Sequence, residues 1–202
     1  MASERLKIAV PRTPEPPALI DFCKRGDRQA QGEFYRSYRS EIARNLHRIM
    51  GPHRRLTELE DVLQDVFIEV FRSIGSFRGE AQFTTWLYRV CINVALQRMR
   101  KAKRLREIPA ARFGDTVTET TPERDYESRC EVGAVYRLLD HLSPKKRVVF
   151  ILHEIEGREP KEIAELVGAP VLTVRTRLHY ARKEFYALAS QDDNFSESRG
   201  AA

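Results

Sequence analysis

The sequence predicts an all-α protein of two small helical domains. These are an N-terminal helical bundle and a C-terminal four-helix domain with a helix-turn-helix, joined by a flexible acidic linker. Three observations predict it. Apolar residues recur at i, i+3, i+4 and i+7 through most of the chain, the mark of helices that bury one face. Glycines and prolines, ten of each, punctuate that pattern rather than break it. At about residue 107 the composition turns acidic and threonine-rich, which separates two periodic halves.

Residues 1–17 are proline-rich and are expected to be disordered. Residues 18–50 read as helix, with Leu19, Ile20, Phe22 and Cys23 before a break at Gly26-Asp27. Phe34, Tyr35, Tyr38, Ile42, Leu46, Ile49 and Met50 follow. Asp27 suits the N-cap of this second stretch, and Gly51-Pro52 ends it. A third helix is predicted from Glu58 to Ile74, with an unbroken stripe of Leu59, Val62, Leu63, Val66, Phe67, Val70, Phe71 and Ile74. Its margin of Gln64, Phe67, Ile68 and Phe71 is wider than a small bundle needs. Either a partner covers that margin, or the helix is buried on two sides within its own domain.

The segment Ser76 to Thr85 is a loop with two phenylalanines, an arginine and a glycine. A fourth helix is predicted from Trp86 to Arg104, with Trp86, Leu87, Val90, Cys91 and Val94 on one face. It ends in a run of Arg98, Arg100, Lys101, Lys103, Arg104 and Arg106. Most such runs are merely solvated. Here the run follows an aromatic loop, a combination suited to tracking a nucleic-acid backbone while bases stack.

The linker spans 107–130 and carries Glu107, Asp115, Glu119, Glu123, Asp125 and Glu127. A helix with Val132, Val135, Tyr136, Leu138, Leu139 and Leu142 then ends at Ser143-Pro144. Another runs from Lys145 to Glu156 and stops at Gly157. Two short helices complete the unit. Lys161 to Val167 closes on Gly168, where a left-handed C-cap favours glycine. Pro170 opens the next segment, and Thr173 is its expected N-cap. Val174, Leu178 and Ala181 face inward, Arg175, Thr176, His179, Tyr180 and Arg182 face outward, and Arg177 lies at the margin. A basic helix of this kind can lie in the major groove of DNA. An ordinary helical hairpin with a solvated basic face fits the same spacing. The tail, 190–202, is polar and expected to fray.

The whole chain narrows the function. A net charge of +6 and a pI near 9.4 favour a polyanionic partner. The three cysteines, Cys23, Cys91 and Cys130, are far apart and without metal-ligand spacing, which fits core positions in a reducing cytoplasm. No apolar run approaches transmembrane length, and the N-terminus lacks a signal-peptide core. There is no glycine-rich phosphate loop, and the five histidines are dispersed. The expectation is therefore a protein with no catalytic site, metal or cofactor. Two rival readings remain at this level. One is a dimeric helix-turn-helix regulator of duplex DNA, which leaves the first domain without a purpose. The other is an adaptor whose hairpins bind proteins, which leaves the basic run unexplained.

Three stretches together resemble the bacterial RNA polymerase sigma factors of the extracytoplasmic-function (ECF) class, in the sigma-seventy superfamily. They are GDRQAQGEFYRSY at 26–38, EDVLQDVFIEVFRSIGSFRGEAQFTTWLYRVCINVA at 60–95 and LSPKKRVVFILHEIEGREPKEIAELVGAPVLTVRTRLHYAR at 142–182. The resemblance implies a sigma region 2 over 18–106 and a sigma region 4 over 131–189. It implies a non-enzymatic initiation factor that binds core RNA polymerase at its clamp and directs promoter-specific transcription. Asp61, Gln64, Asp65, Phe67 and Phe71 match positions that face polymerase. The loop 76–85 and the helix after it match the unit that melts and reads the minus-ten element, where a base is flipped into a pocket. Phe77, Arg78, Phe83, Tyr88, Asn93 and Gln97 are the implied contacts there, with Arg98, Arg100 and Lys101 on phosphates. Trp86 and Leu87 are expected in the core.

For the minus-thirty-five element the matching positions are Arg175, Thr176, His179 and Tyr180, with Arg177 and Arg182 on phosphates. The resemblance further implies promoter DNA and an anti-sigma factor as partners. It implies a cytoplasmic protein that does not itself insert in a membrane, though its anti-sigma factor often holds it there. The chain departs from the family pattern at Gln31, where phenylalanine is common. It departs again at Leu172, where a small residue usually opens the recognition helix, and at Tyr180, which replaces a frequent arginine. Tyrosine cannot make the bidentate guanine contact of arginine.

Overall fold

Helices form where the apolar period is longest, and turns form where glycine or proline breaks it. The computed structural model describes residues 17–52, 56–107 and 124–191, and among them only helices and turns occur. These residues divide into two units, each with its own core. The first holds α1 (Pro17–Lys24), α2 (Arg28–Met50), α3 (Leu56–Ser73) and α4 (Phe83–Glu107). The second holds α5 (Arg124–His141), α6 (Pro144–Phe150), α7 (Pro160–Val167) and α8 (Val171–Ala189). The extension expected over 1–17 lies outside the described residues apart from Pro17, as do residues 108–123 of the linker and the tail from 192. The linker expected to reach 130 is already helical from Arg124.

In the first unit Asp27 caps α2 as its position predicts. Its Oδ1 accepts the Ala30 amide at 2.9 Å, which satisfies a donor that the helix cannot. Gly51 ends α2 with φ 96°, a conformation that glycine adopts without a Cβ clash. Phe34 is fully buried at the centre of this core. Its ring lies 4.5 Å from Tyr38, 5.7 Å from Phe71, 5.8 Å from Phe83 and 6.3 Å from Phe67. The last three are edge-on contacts, the arrangement that the ring quadrupole favours. α3 runs directly into a 3-10 turn at Ile74–Ser76, and the buried Ile74 anchors the loop that follows.

In the second unit Pro144 starts α6 at a first-turn position, where its missing amide is of no consequence. The stretch expected as one helix from Lys145 to Glu156 is instead α6 followed by a π turn over Ile151–Ile155. Val148, Val149, Phe150, Ile151 and Leu152 are buried in succession, a wider surface than a single α-helical stripe presents. His153 Nδ1 donates to the Arg158 carbonyl at 2.8 Å and helps close the turn at Gly157. A capping box opens α7: Glu162 accepts the Glu159 amide at 2.9 Å. Gly168 ends it in the left-handed conformation, φ 60° and ψ 46°. The N-cap of α8 is Pro170, not Thr173 as expected; the helix begins at Val171 and Thr173 lies inside its first turn. Proline at φ −56° is already shaped for that junction. Tyr136, Leu139, Leu142, Phe150, Ile151, Ala181 and Phe185 form one buried cluster, with Ile163, Leu166, Val174 and Leu178 also buried.

Candidate polymerase and nucleic-acid interfaces

The acidic face of α3 is the first candidate surface. Asp61 and Gln64 are exposed, and Asp65 and Phe71 are half-buried. Phe67, expected to face polymerase, is instead buried. The reason lies in α2, where the Tyr35 ring sits 4.5 Å from Phe67. Arg39 then bridges outward from Tyr35 Oη at 3.2 Å to Glu60 at 2.7 Å. The wide margin of α3 is therefore partly covered by its own domain. Ile68 is left over, 66% exposed beside Gln64. Its position outside the stripe was the signal that could have placed it among the contact candidates.

The second surface is the loop after α3 and the outer face of α4. Phe77 is half-buried, 5.3 Å edge-on to Phe83 and 5.6 Å from Trp86. Lys24 Nζ lies 5.6 Å from its ring centre, close enough for a cation–π attraction. Arg78 is exposed. Phe83 and Tyr88, expected to contact the minus-ten element, are instead buried, at 3% and 5% exposed. Phe83 stacks into the aromatic core and forms the floor beneath Phe77. Tyr88 lies on the same side of α4 as the buried Cys91, Ile92 and Ala95, so it enters the core. Trp86, expected inside with Leu87, is half-buried instead. At about 100° per residue it shares a face with Arg89, Asn93, Gln97, Arg100 and Arg104.

Asn93, Gln97, Arg100 and Lys101 are exposed. The Arg100 Nε donates to the Leu96 carbonyl at 3.1 Å, which holds the base of the guanidinium against the helix. Arg98 differs from the rest of the run, because it is paired with Asp65. A residue assigned to phosphates and a residue assigned to polymerase are thus joined to each other. Arg89 and Arg104, also exposed, complete the stripe, and their i, i+4 spacing to Asn93 and Arg100 was the signal for them.

The third surface is α8. Arg175, Thr176, His179 and Tyr180 are exposed, Arg177 is half-buried, and Val174, Leu178 and Ala181 are buried. The Thr176 hydroxyl donates to the Leu172 carbonyl at 2.9 Å. The Tyr180 ring lies 5.4 Å from His179 and 5.7 Å from Lys146 Nζ, and Lys146 is paired with Glu184. Arg182 is held by Glu154, its Nε donating at 2.7 Å, so, like Arg98, it already shares its charge with a carboxylate. Lys183, also exposed, was not singled out by sequence. Beneath this surface Arg147 is buried, paired with Asp140 and 6.0 Å from the Tyr136 ring.

Two cysteines lie inside the first unit, where burial changes their chemistry. Burial pushes the Cys91 thiol well above its ordinary range and keeps it neutral. Cys23, also buried and free, is raised by burial and then by Asp27 and Glu33. The side chain of Cys130 lies outside the described residues. Among the described residues no cluster of His, Cys, Asp or Glu is disposed to hold a metal ion, and no helix is long and apolar enough to cross a membrane.

The two units match two family profiles: Sigma-70 region 2 over residues 34–105 and Sigma-70, region 4 over residues 133–185. The chain is 33% identical over 175 residues to the ECF RNA polymerase sigma-E factor of Haemophilus influenzae, covering 82% of this chain and 90% of that one. The chain belongs to the ECF class of the sigma-70 family. The sigma-E factor of Escherichia coli K12 is 30% identical over 174 residues, covering 82% of this sigma factor and 89% of that one. Two solved structures share the fold. CnrH, in complex with the cytosolic domain of CnrY, has a TM-score of 0.54 at 23% identity, covering 87% of this sigma factor and 97% of CnrH. RpoE from Bartonella quintana, in complex with the anti-sigma factor NepR, has a TM-score of 0.56 at 19% identity, covering 80% and 97%.

Proposed function

We propose that this ECF sigma factor binds core RNA polymerase through the exposed face of α3 and directs initiation at a bipartite promoter. The observation that carries the reading is the union in one chain of a region 2 match at 34–105 and a region 4 match at 133–185. Each bears a helix with an outward polar and basic face. Asp61, Gln64, Asp65 and Ile68 form the polymerase face, with Phe71 at its edge and Phe67 as its support. An acidic surface in a chain of net charge +6 suits a basic partner.

The minus-ten DNA meets Phe77, Arg78, Trp86, Asn93 and Gln97, with Arg100 and Lys101 on phosphates. Flipping a base costs a few kcal/mol, and stacking on an aromatic ring returns about 1–3 kcal/mol. Arg175, Thr176, His179 and Tyr180 meet the minus-thirty-five element. The factor performs no chemistry of its own; the polymerase does. It acts in the cytoplasm, and an anti-sigma factor controls it by covering these faces. The complex of the Bartonella relative with NepR supports that last element.

The test is reconstitution: the protein, core polymerase and a promoter library, with the transcripts sequenced. Start sites that share an upstream and a downstream element are the expected result. Duplex binding without polymerase and without transcripts would instead favour a simple helix-turn-helix regulator.

A further inference from the structure

Leu172 is the most exposed large apolar side chain among the described residues, at 73%. A lone exposed leucine needs no explanation by itself; its place on α8 does. At about 100° per residue it lies opposite the buried Ala181, at the middle of the outward face, and it sits in the first turn. From that turn a recognition helix reaches base edges. Thr176 follows one turn later on the same ridge, about 6 Å along the axis. Its hydroxyl proton is committed to the Leu172 carbonyl, so it offers a groove a methyl group and an acceptor, not a donor. The adjacent Arg175 and His179 supply the polar contacts, while Arg182 is held back by Glu154. The first turn of this reading face is therefore centred on an apolar side chain, with His179 two turns further on at nearly the same angle.

In the major groove only thymine presents a methyl group, and apolar side chains read it. Building on the assignment of α8 to the upstream element, we propose that Leu172 and Thr176 read thymine methyl groups there. The two side chains lie within about two base-pair steps of each other. They would favour thymine at one or two positions through its methyl group, independently of any hydrogen bond to O4.

The experiment uses the full chain with core polymerase and promoters in which each upstream thymine is replaced, one at a time, by deoxyuridine. That change removes the methyl and keeps every hydrogen-bonding group. A loss of about three- to fourfold in open-complex formation is expected at one or two positions, the weight of one buried methyl group. Leu172→Ala should abolish the thymine–uracil difference at one position. Thr176→Ser, which keeps the hydroxyl and its bond, should abolish it at a neighbouring one. Equal use of thymine and uracil at every position, on a promoter that still fails when the upstream element is scrambled, would overturn this inference and leave the DNA role of α8 standing. A methyl preference that persists unchanged in both variants would overturn it as well. Indifference to scrambling would overturn both.

Discussion

Arg147 and Asp140 illustrate how one side chain can set the stability of a unit. Arg147 is 2% exposed, so its charge depends on the Asp140 carboxylate and the surrounding dipoles. Asp140→Ala leaves that charge buried and should destabilise the second unit by about 3 kcal/mol, as removal of one partner of a buried pair does. The double change Asp140→Ala with Arg147→Met should recover much of the loss in urea denaturation, because no buried charge remains. Glu41 offers the pH counterpart. Burial raises its carboxyl above the ordinary 4.5, and Arg44 opposes this more weakly. The folded state therefore holds the proton more tightly than the unfolded state. Stability from this group is present below pH 4.5 and is lost as pH rises through the folded value. Glu41→Gln should raise the thermal midpoint at pH 7, and the gain should vanish at pH 4, as melting curves at several pH values will report.

At the scale of elements, glycines separate by conformation. Gly168 closes α7 at φ 60°, and Gly168→Ala should destabilise the second unit by about 1 kcal/mol. Gly32 lies inside α2, where an added Cβ meets the Arg36 side chain at an ordinary 3.6 Å. Gly32→Ala should instead stabilise the first unit, by about 0.5–1 kcal/mol. Denaturation monitored by circular dichroism distinguishes the two signs. Helix existence was legible in the sequence because burial of one face imposes the 3.6-residue period on every amphipathic helix. Gly51, Gly168 and the Asp27 cap were legible too, because left-handed backbone and capping depend only on residues close in sequence. The π turn at Ile151–Ile155 was not, since it answers burial on several sides, which no single-helix pattern encodes.

Charge acts at the scale of the whole molecule. With net charge +6 and an outward stripe on α4, promoter binding by the holoenzyme should weaken steeply with salt. Arg100→Ala and Lys101→Ala should each reduce the slope of log affinity against log salt by about one. Arg98→Ala should change it less, because its charge is already shared with Asp65. Open-complex titrations across potassium chloride concentrations measure all three. The same reasoning explains which parts of the candidate sites could be read in advance. Arg175, Thr176, His179 and Tyr180 are outward because a helix with an apolar stripe must present its other residues to solvent. Phe67, Phe83 and Tyr88 defeated that logic, since whether an aromatic residue is core or contact depends on which neighbour covers it.

The amino-acid sequence by itself determined the helices, the division into two periodic halves, the turn residues and the family. All of these follow from local periodicity, backbone preference and contiguous motifs. Only the tertiary structure decided which aromatic rings are interior, that Tyr88 is in and Trp86 half out. It also decided that Asp65 takes Arg98, 33 residues away, and that Glu154 takes Arg182, 28 residues away. Ion pairs and ring contacts of that kind are set by how helices cross, and crossing depends on side-chain packing between elements distant in sequence. That packing also leaves Leu172 exposed at the start of α8, on the face opposite the buried Ala181.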